Sequence, residues 1–178
     1  MGAAQVAVGT ARSAGVKLSK HVIPFDLNSI PSLDICVNHT YVGVMTDTLD
    51  TRLEITSWVE ETVHEMADGS KITRASVSLA GDGDALSAAT FEAVMFYRPD
   101  GTSSYVSIMQ VTGALQGREG GFVLQGDGTF DGTTASGRSS VVSGSGSGKL
   151  AGLTGAARSD STHDDYPFMP LTLDYDLG

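Results

Sequence analysis

The sequence predicts an all-β protein, a small antiparallel barrel of about eight strands, on three observations. From Leu53 onward apolar residues recur with a period of two, as in Phe91-Ala93-Met95-Tyr97 and Tyr105-Ser107-Met109-Val111. The alternating runs are separated by turn chemistry, Pro99-Asp100-Gly101 and the glycines from Gly117 to Gly121 being the clearest cases. No run with helical period falls between Leu53 and Gly178. A meander of this length exposes two strand edges, and closure into a barrel removes both.

The elements follow in order. Leu53 to Val59, Lys71 to Ala80, Leu86 to Arg98 and Ser103 to Thr112 are four alternating strands. Gly121 to Asp127 and Thr129 to Val142 come next, the second bending at Gly132 or Gly137, and Lys149 to Arg158 and Leu171 to Leu177 complete the set. Ser143 to Gly148 has the composition of a linker, but its place between two strand-like runs favours a turn or bulge. Residues 51–178 are therefore the β-barrel domain and residues 1–50 an N-terminal extension. The extension reads either as a leader without fixed structure or as a lid burying Val22, Ile23, Phe25, Leu27, Ile30, Leu33 and Ile35, with Tyr41 to Met45 as one extra strand.

Composition narrows the function classes. A formal net charge of -10 makes a polyanionic partner such as nucleic acid, or an anionic membrane surface, a poor match. No apolar run has the length of a membrane span. The single cysteine, Cys36, rules out an intramolecular disulfide and fits a reducing compartment. The N-terminus lacks a continuous apolar signal core, so a cytoplasmic location is expected. The four histidines are scattered without metal-ligand spacing or a nucleophile-base arrangement, and Gly144 to Gly148 lacks the spacing of a phosphate loop. Neither a metal nor another cofactor is expected.

Alternation also assigns the faces. Phe91, Ala93, Met95, Tyr97, Tyr105, Ser107, Met109, Val111, Phe122, Leu124, Leu171, Leu173 and Tyr175 share one face, while Glu92, Arg98, Gln110, Thr112, Gln125, Asp127, Asp174 and Asp176 share the other. The first face is the lumen: aromatic, thioether-rich and nearly without charge. Its tyrosine hydroxyls need partners, which a polar-tipped ligand or water would supply. Trp58 has the strand parity opposite to Leu53 and Ile55, so its direction is open.

Several short motifs carry a resemblance: Ser57-Trp58, Thr73-Arg74-Ala75, Tyr97-Arg98-Pro99-Asp100-Gly101, Val111-Thr112-Gly113, Gly121-Phe122-Val123-Leu124-Gln125, Gly128-Thr129-Phe130, Leu150-Ala151-Gly152-Leu153 and Leu173-Asp174-Tyr175-Asp176-Leu177. Over about Leu53 to Leu177 the chain resembles a bacterial family known only as a domain of unknown function, DUF3224, with an allene-oxide-cyclase-like barrel. The resemblance implies a calycin-like fold, often oligomeric, so that a homo-oligomer is expected. Related barrels include cyclases of polyketide pathways, some with N-terminal lids. Against the family pattern, Met109-Gln110 stands in place of a Glu-Arg pair and Gly126 in place of a histidine, which leaves the lumen larger and more apolar.

The functional expectation follows from these absences. A lumen without acid-base groups can still accelerate an intramolecular cyclisation by holding a flexible chain near its reactive conformation. The chain is thus expected to be a cofactor-independent cyclase or isomerase, of Diels-Alderase type, acting on an apolar polyketide-like intermediate. Tyr97, Tyr105 and Ser107 would be the catalytic hydrogen-bonding groups. Trp58, Phe91, Met95, Met109, Phe122, Leu124 and Tyr175 would line the substrate site. The alternative is a non-catalytic, calycin-like binder of a small apolar metabolite.

Overall fold

The computed structural model describes residues 46–83 and 85–178; the proposed lid and the strand at Tyr41 to Met45 lie outside the described residues. Nine strands run in chain order: β1 Asp47–Glu65, β2 Lys71–Ala80, β3 Leu86–Tyr97, β4 Ser103–Leu115, β5 Arg118–Phe130, β6 Thr134–Val141, β7 Ser147–Gly148, β8 Thr154–Thr162 and β9 Phe168–Asp176. Every pairing is antiparallel. The order β4-β3-β2-β1-β9-β8-β6-β5, together with the β4–β5 pairing, joins eight strands into a closed ring, with the two-residue β7 as a short addition to β5. An eight-stranded ring is wide enough to be filled by side chains or to hold one small ligand.

Alternation holds along most strands. In β2, Thr73, Ala75, Val77 and Leu79 are buried while Arg74, Ser76 and Ser78 are exposed. The assigned lumen residues of β3, β4, β5 and β9 are buried or half-buried, whereas the Glu92 carboxylate accepts a hydrogen bond from Ser76 on the outer face.

Several boundaries differ from the sequence reading. β1 is far longer than Leu53 to Val59 and already begins at Asp47, inside the span assigned to the N-terminal extension. The break between β5 and β6 falls at residues 131–133 rather than at Gly128, because the Asp131 carboxylate accepts from the Thr133 and Thr134 amides and closes a tight turn there. Lys149 to Leu153 is not strand: Leu150 and Leu153 turn inward as plugs, 1% and 2% exposed.

The SGSGSG run is neither a linker nor a simple turn. β6 pairs with β5 only from Leu124 to Phe130, so that on this edge Val123 and Gly121 lie beyond β6 and are met by the two-residue β7 at Gly121 and by the Val142 amide at the Val123 carbonyl. The Ser145 hydroxyl accepts from the Val123 amide and donates to its carbonyl, and the Ser147 hydroxyl does the same at Gly121. Serine side chains thus supplement a short ladder, satisfying groups that would be costly to leave bare.

Leu53, Leu86, Val111, Leu115, Phe122, Leu150, Leu153 and Leu173 form the dense part of the core, each at most 2% exposed. They close the end of the barrel that carries the β2–β3 and β4–β5 turns and the segment between β6 and β8. The other end carries the hairpin turns β1–β2, β3–β4, β5–β6 and β8–β9, and among the described residues it is open.

Candidate functional site

The open end leads into a cavity of about 170 Å³. Its shape follows from an asymmetry between two walls. One wall is built of large apolar side chains from β1–β4 and β9: Ile55, Leu79, Phe91, Met95, Met109 and Leu171. The facing wall, from β6 and β8, presents Ala135, Gly137, Ser139, Ala157, Ser159 and Ser161. Cross-strand register places these small residues on the inner face, Gly137 opposite Gly128 and Ser159, and Ser139 opposite Gly126 and Ala157. Small side chains on one side leave the space that large ones on the other do not fill.

Tyr105 lies across the gap between the walls. Gly128 is its direct partner on β5, and Gly128 pairs in turn with Gly137. A Cβ on Gly128 would run into the Tyr105 ring, and one on Gly137 would sit 2.7 Å from its hydroxyl. The ring therefore lies over two glycines, the arrangement by which an aromatic side chain covers bare backbone in a sheet. Phe91 meets it edge-on, with ring centroids 6.2 Å apart. Among the described residues, the hydroxyls of Tyr105, Ser107, Ser139, Ser159 and Ser161 have no hydrogen-bond partner within the protein, and they border the cavity. Burial first, and then Asp127 and Asp160, push the Tyr105 hydroxyl up from its ordinary value. It stays protonated through neutral pH and can donate a hydrogen bond.

Of the residues expected from sequence, Tyr105, Ser107, Trp58, Phe91, Met95, Met109 and Leu124 border this cavity. Phe122 and Tyr175 are packed in the core, 2% and 5% exposed, away from the lining. Tyr97 stands nearer the rim, its hydroxyl 3.7 Å from Met95 Sδ and its ring 5.0 Å from Lys71 Nζ. Burial, and after it the Glu60 carboxylate beside the hydroxyl, push Tyr97 up to about 12. Gly126 adds no free volume of its own, because a Cβ there would strike the backbone of β6 at Arg138 and Ser139. It permits the close approach of β5 and β6. Beneath the rim, Thr73 Oγ1 is buried without a hydrogen-bond partner.

The direction of Trp58 is set by a β-bulge. Ile55 pairs with Leu79 and Ser57 with Ser78, so β1 advances two residues while β2 advances one. The Thr56 hydroxyl donates to the Ser78 carbonyl inside this bulge. The extra residue returns Trp58 to the inner face, opposite Val77, and carries Glu60 there too, opposite Ala75. Sequence alternation missed Glu60 as an inward-facing acid, since the phase shift at Thr56 has no composition signal. Trp58 Nε1 donates to Glu60 Oε2 at 3.1 Å.

Among the described residues no group of three or more His, Cys, Asp or Glu side chains is placed to hold a metal ion. Asp165, one of the paired acids of the β8–β9 turn, accepts instead from the Thr162 amide and hydroxyl. No described helix is long and apolar enough to cross a membrane.

An all-β barrel with an apolar, one-ended lumen is the class of protein that these features define. The family model described as "Protein of unknown function (DUF3224)" matches residues 50–175, and the chain belongs to that family. A crystal structure of a DUF3224 protein of unknown function from Shewanella oneidensis MR-1 is similar in fold, with a TM-score of 0.57 at 23% identity, covering 74% of this chain and 97% of that one. No curated protein matches the chain.

Proposed function

We propose that the barrel binds a small, mostly apolar molecule in its lumen, held by shape and by a hydrogen bond from Tyr105. The observation that carries this reading is the cavity between unequal walls, bordered by hydroxyls without a partner among the described residues. An apolar cavity of about 150 Å³ takes a benzene ring in a well-studied case. The cavity here, about 170 Å³, suits a ring or short branched chain. A longer molecule would extend through the open end past Trp58.

The same lumen supports a second reading, cyclisation of a reactive apolar chain. The observation favouring it is that Tyr105 remains a neutral donor, able to stabilise charge developing on a carbonyl oxygen. Both readings need the cavity, so the cavity is tested first. Ser159→Leu introduces a larger apolar side chain into the small-residue wall. Saturable quenching of Trp58, the only tryptophan, by phenol or indole derivatives is expected in the wild type and absent in Ser159→Leu. The variant's stability should stay within about 1–2 kcal/mol of wild type, because the side chain enters existing space. If Ser159→Leu binds the probes unchanged, the lumen is not the site. Ring formation from a linear polyene would then separate the cyclase from the binder.

A further inference from the structure

The open end carries a charged group that the apolar lumen does not explain. We propose that Glu60 makes this a site for cationic amphiphiles, small molecules with an apolar body in the lumen and an ammonium group at the mouth. The inference rests on the lumen-binding reading and names the ligand class for it.

Register fixes the depth of each charge. Trp58 borders the cavity, and Glu60 is two residues further out on the same inner face of β1. Its row across the sheet is Ala75, Ala93 and Ser107, all small, and the large side chains beside the carboxylate are the aromatic rings of Trp58 and Tyr97. The Trp58 indole holds it in place at 3.1 Å. The opposing cations lie elsewhere. Lys71 is four residues beyond Ala75 towards the hairpin and rests on the outer ring, Tyr97. Arg138 and Arg158 border the cavity from β6 and β8, across the barrel from β1, at positions that alternate with the inward residues, and Arg158 is paired with Asp174 at 3.1 Å.

A molecule leaving the cavity along β1 therefore meets Glu60 before it meets Lys71. The indole of Trp58, 51% exposed, offers an aromatic face next to that carboxylate. A carboxylate beside an aromatic face is the chemistry that recognises an ammonium group. The formal net charge of -10 also draws cations towards the chain.

The test uses the full chain and three probes sharing one phenyl body: phenethylamine, 2-phenylethanol and 3-phenylpropionate, titrated by calorimetry at neutral pH. The amine should bind about fivefold more tightly than the alcohol, the worth of one exposed ion pair, with the carboxylate weakest. Glu60→Gln keeps an oxygen to accept from Trp58, so the wall is preserved. It should remove the amine's advantage and leave 2-phenylethanol unchanged, and added salt should shrink the same difference in wild type. If the alcohol binds as tightly as the amine, or Glu60→Gln weakens both equally, Glu60 only shapes the wall and the proposal is overturned while lumen binding stands. If no probe binds, both fall.

Discussion

The two ends of the barrel are built from different chemistry. At the closed end, Leu86, Leu115, Leu150 and Leu153 are nearly inaccessible, and the segment between β6 and β8 is fastened to β5 by serine hydroxyls. At the open end, each hairpin is tied by an aspartate: Asp68 to Ser70, Asp100 to Thr102, Asp131 to Thr133, and Asp165 to Thr162. Stability is concentrated at one end, in apolar packing that water never reaches. The other end keeps its loops in shape by local polar bonds and leaves its interior accessible. A binding site needs this division, because a lumen plugged at both ends would admit nothing.

Truncating each end gives the largest contrast. Leu150→Ala removes a side chain that is 1% exposed, and should cost about 2–5 kcal/mol in urea unfolding. Trp58→Ala, at a residue 51% exposed, should cost about 1 kcal/mol or less. Equal losses would mean that the open end is packed as tightly as the closed one.

The slot under Tyr105 gives a smaller effect and a sharper test. Gly137→Ala places a methyl 2.7 Å from the Tyr105 hydroxyl, while the next atoms, Tyr105 Cζ and the Asp127 carbonyl, are 3.8 and 3.9 Å away. The conflict is thus with one oxygen. Gly137→Ala should destabilise by about 1–2 kcal/mol. Tyr105→Phe should be nearly neutral, since the hydroxyl has no partner within the described protein. Together they should recover most of the loss, a coupling that a double-mutant cycle measures directly. A full penalty for Gly137→Ala in the Tyr105→Phe background would show that the glycine serves the backbone and not the ring.

What the sequence revealed and concealed follows the same physics. Strands β2, β3 and β4 were legible because large apolar residues alternate strictly with polar ones against a filled core. β6 and β8 were misjudged at their boundaries, because a wall of Gly, Ala and Ser facing a cavity has no apolar beat to read. Lys149 to Leu153 reads as the start of a strand in sequence, yet the strand begins at Thr154 and Leu150 and Leu153 are plugs. The inner placement of Glu60 was invisible, because it depends on a bulge at Thr56 that only pairing with β2 defines. The residues that make the cavity are thus those whose pattern is weakest, and the barrel was easier to read than its site.

The smallest expected effect separates the two ends by pH. Asp68, Asp100, Asp131 and Asp165 are held below the usual aspartate value, chiefly by the side-chain and backbone hydrogen bonds of the turns they close. A carboxylate with a lowered folded value stabilises its turn fully above the unfolded value, near 3.8, and loses that contribution as pH falls through the folded value. The amides of Ser70, Thr102, Thr133 and Thr162, which donate to these carboxylates, should lose hydrogen-exchange protection as pH is lowered from about 4 to about 2. The amides of Gly121 and Val123 are internal controls, since they donate to Ser147 and Ser145, which do not titrate. Asp131→Asn, which retains an acceptor oxygen, should flatten the pH dependence at Thr133 and Thr134 and leave the other three turns unchanged. Parallel loss at the serine-held amides would mean that acid loosens the barrel as a whole and that its two ends are not independently secured.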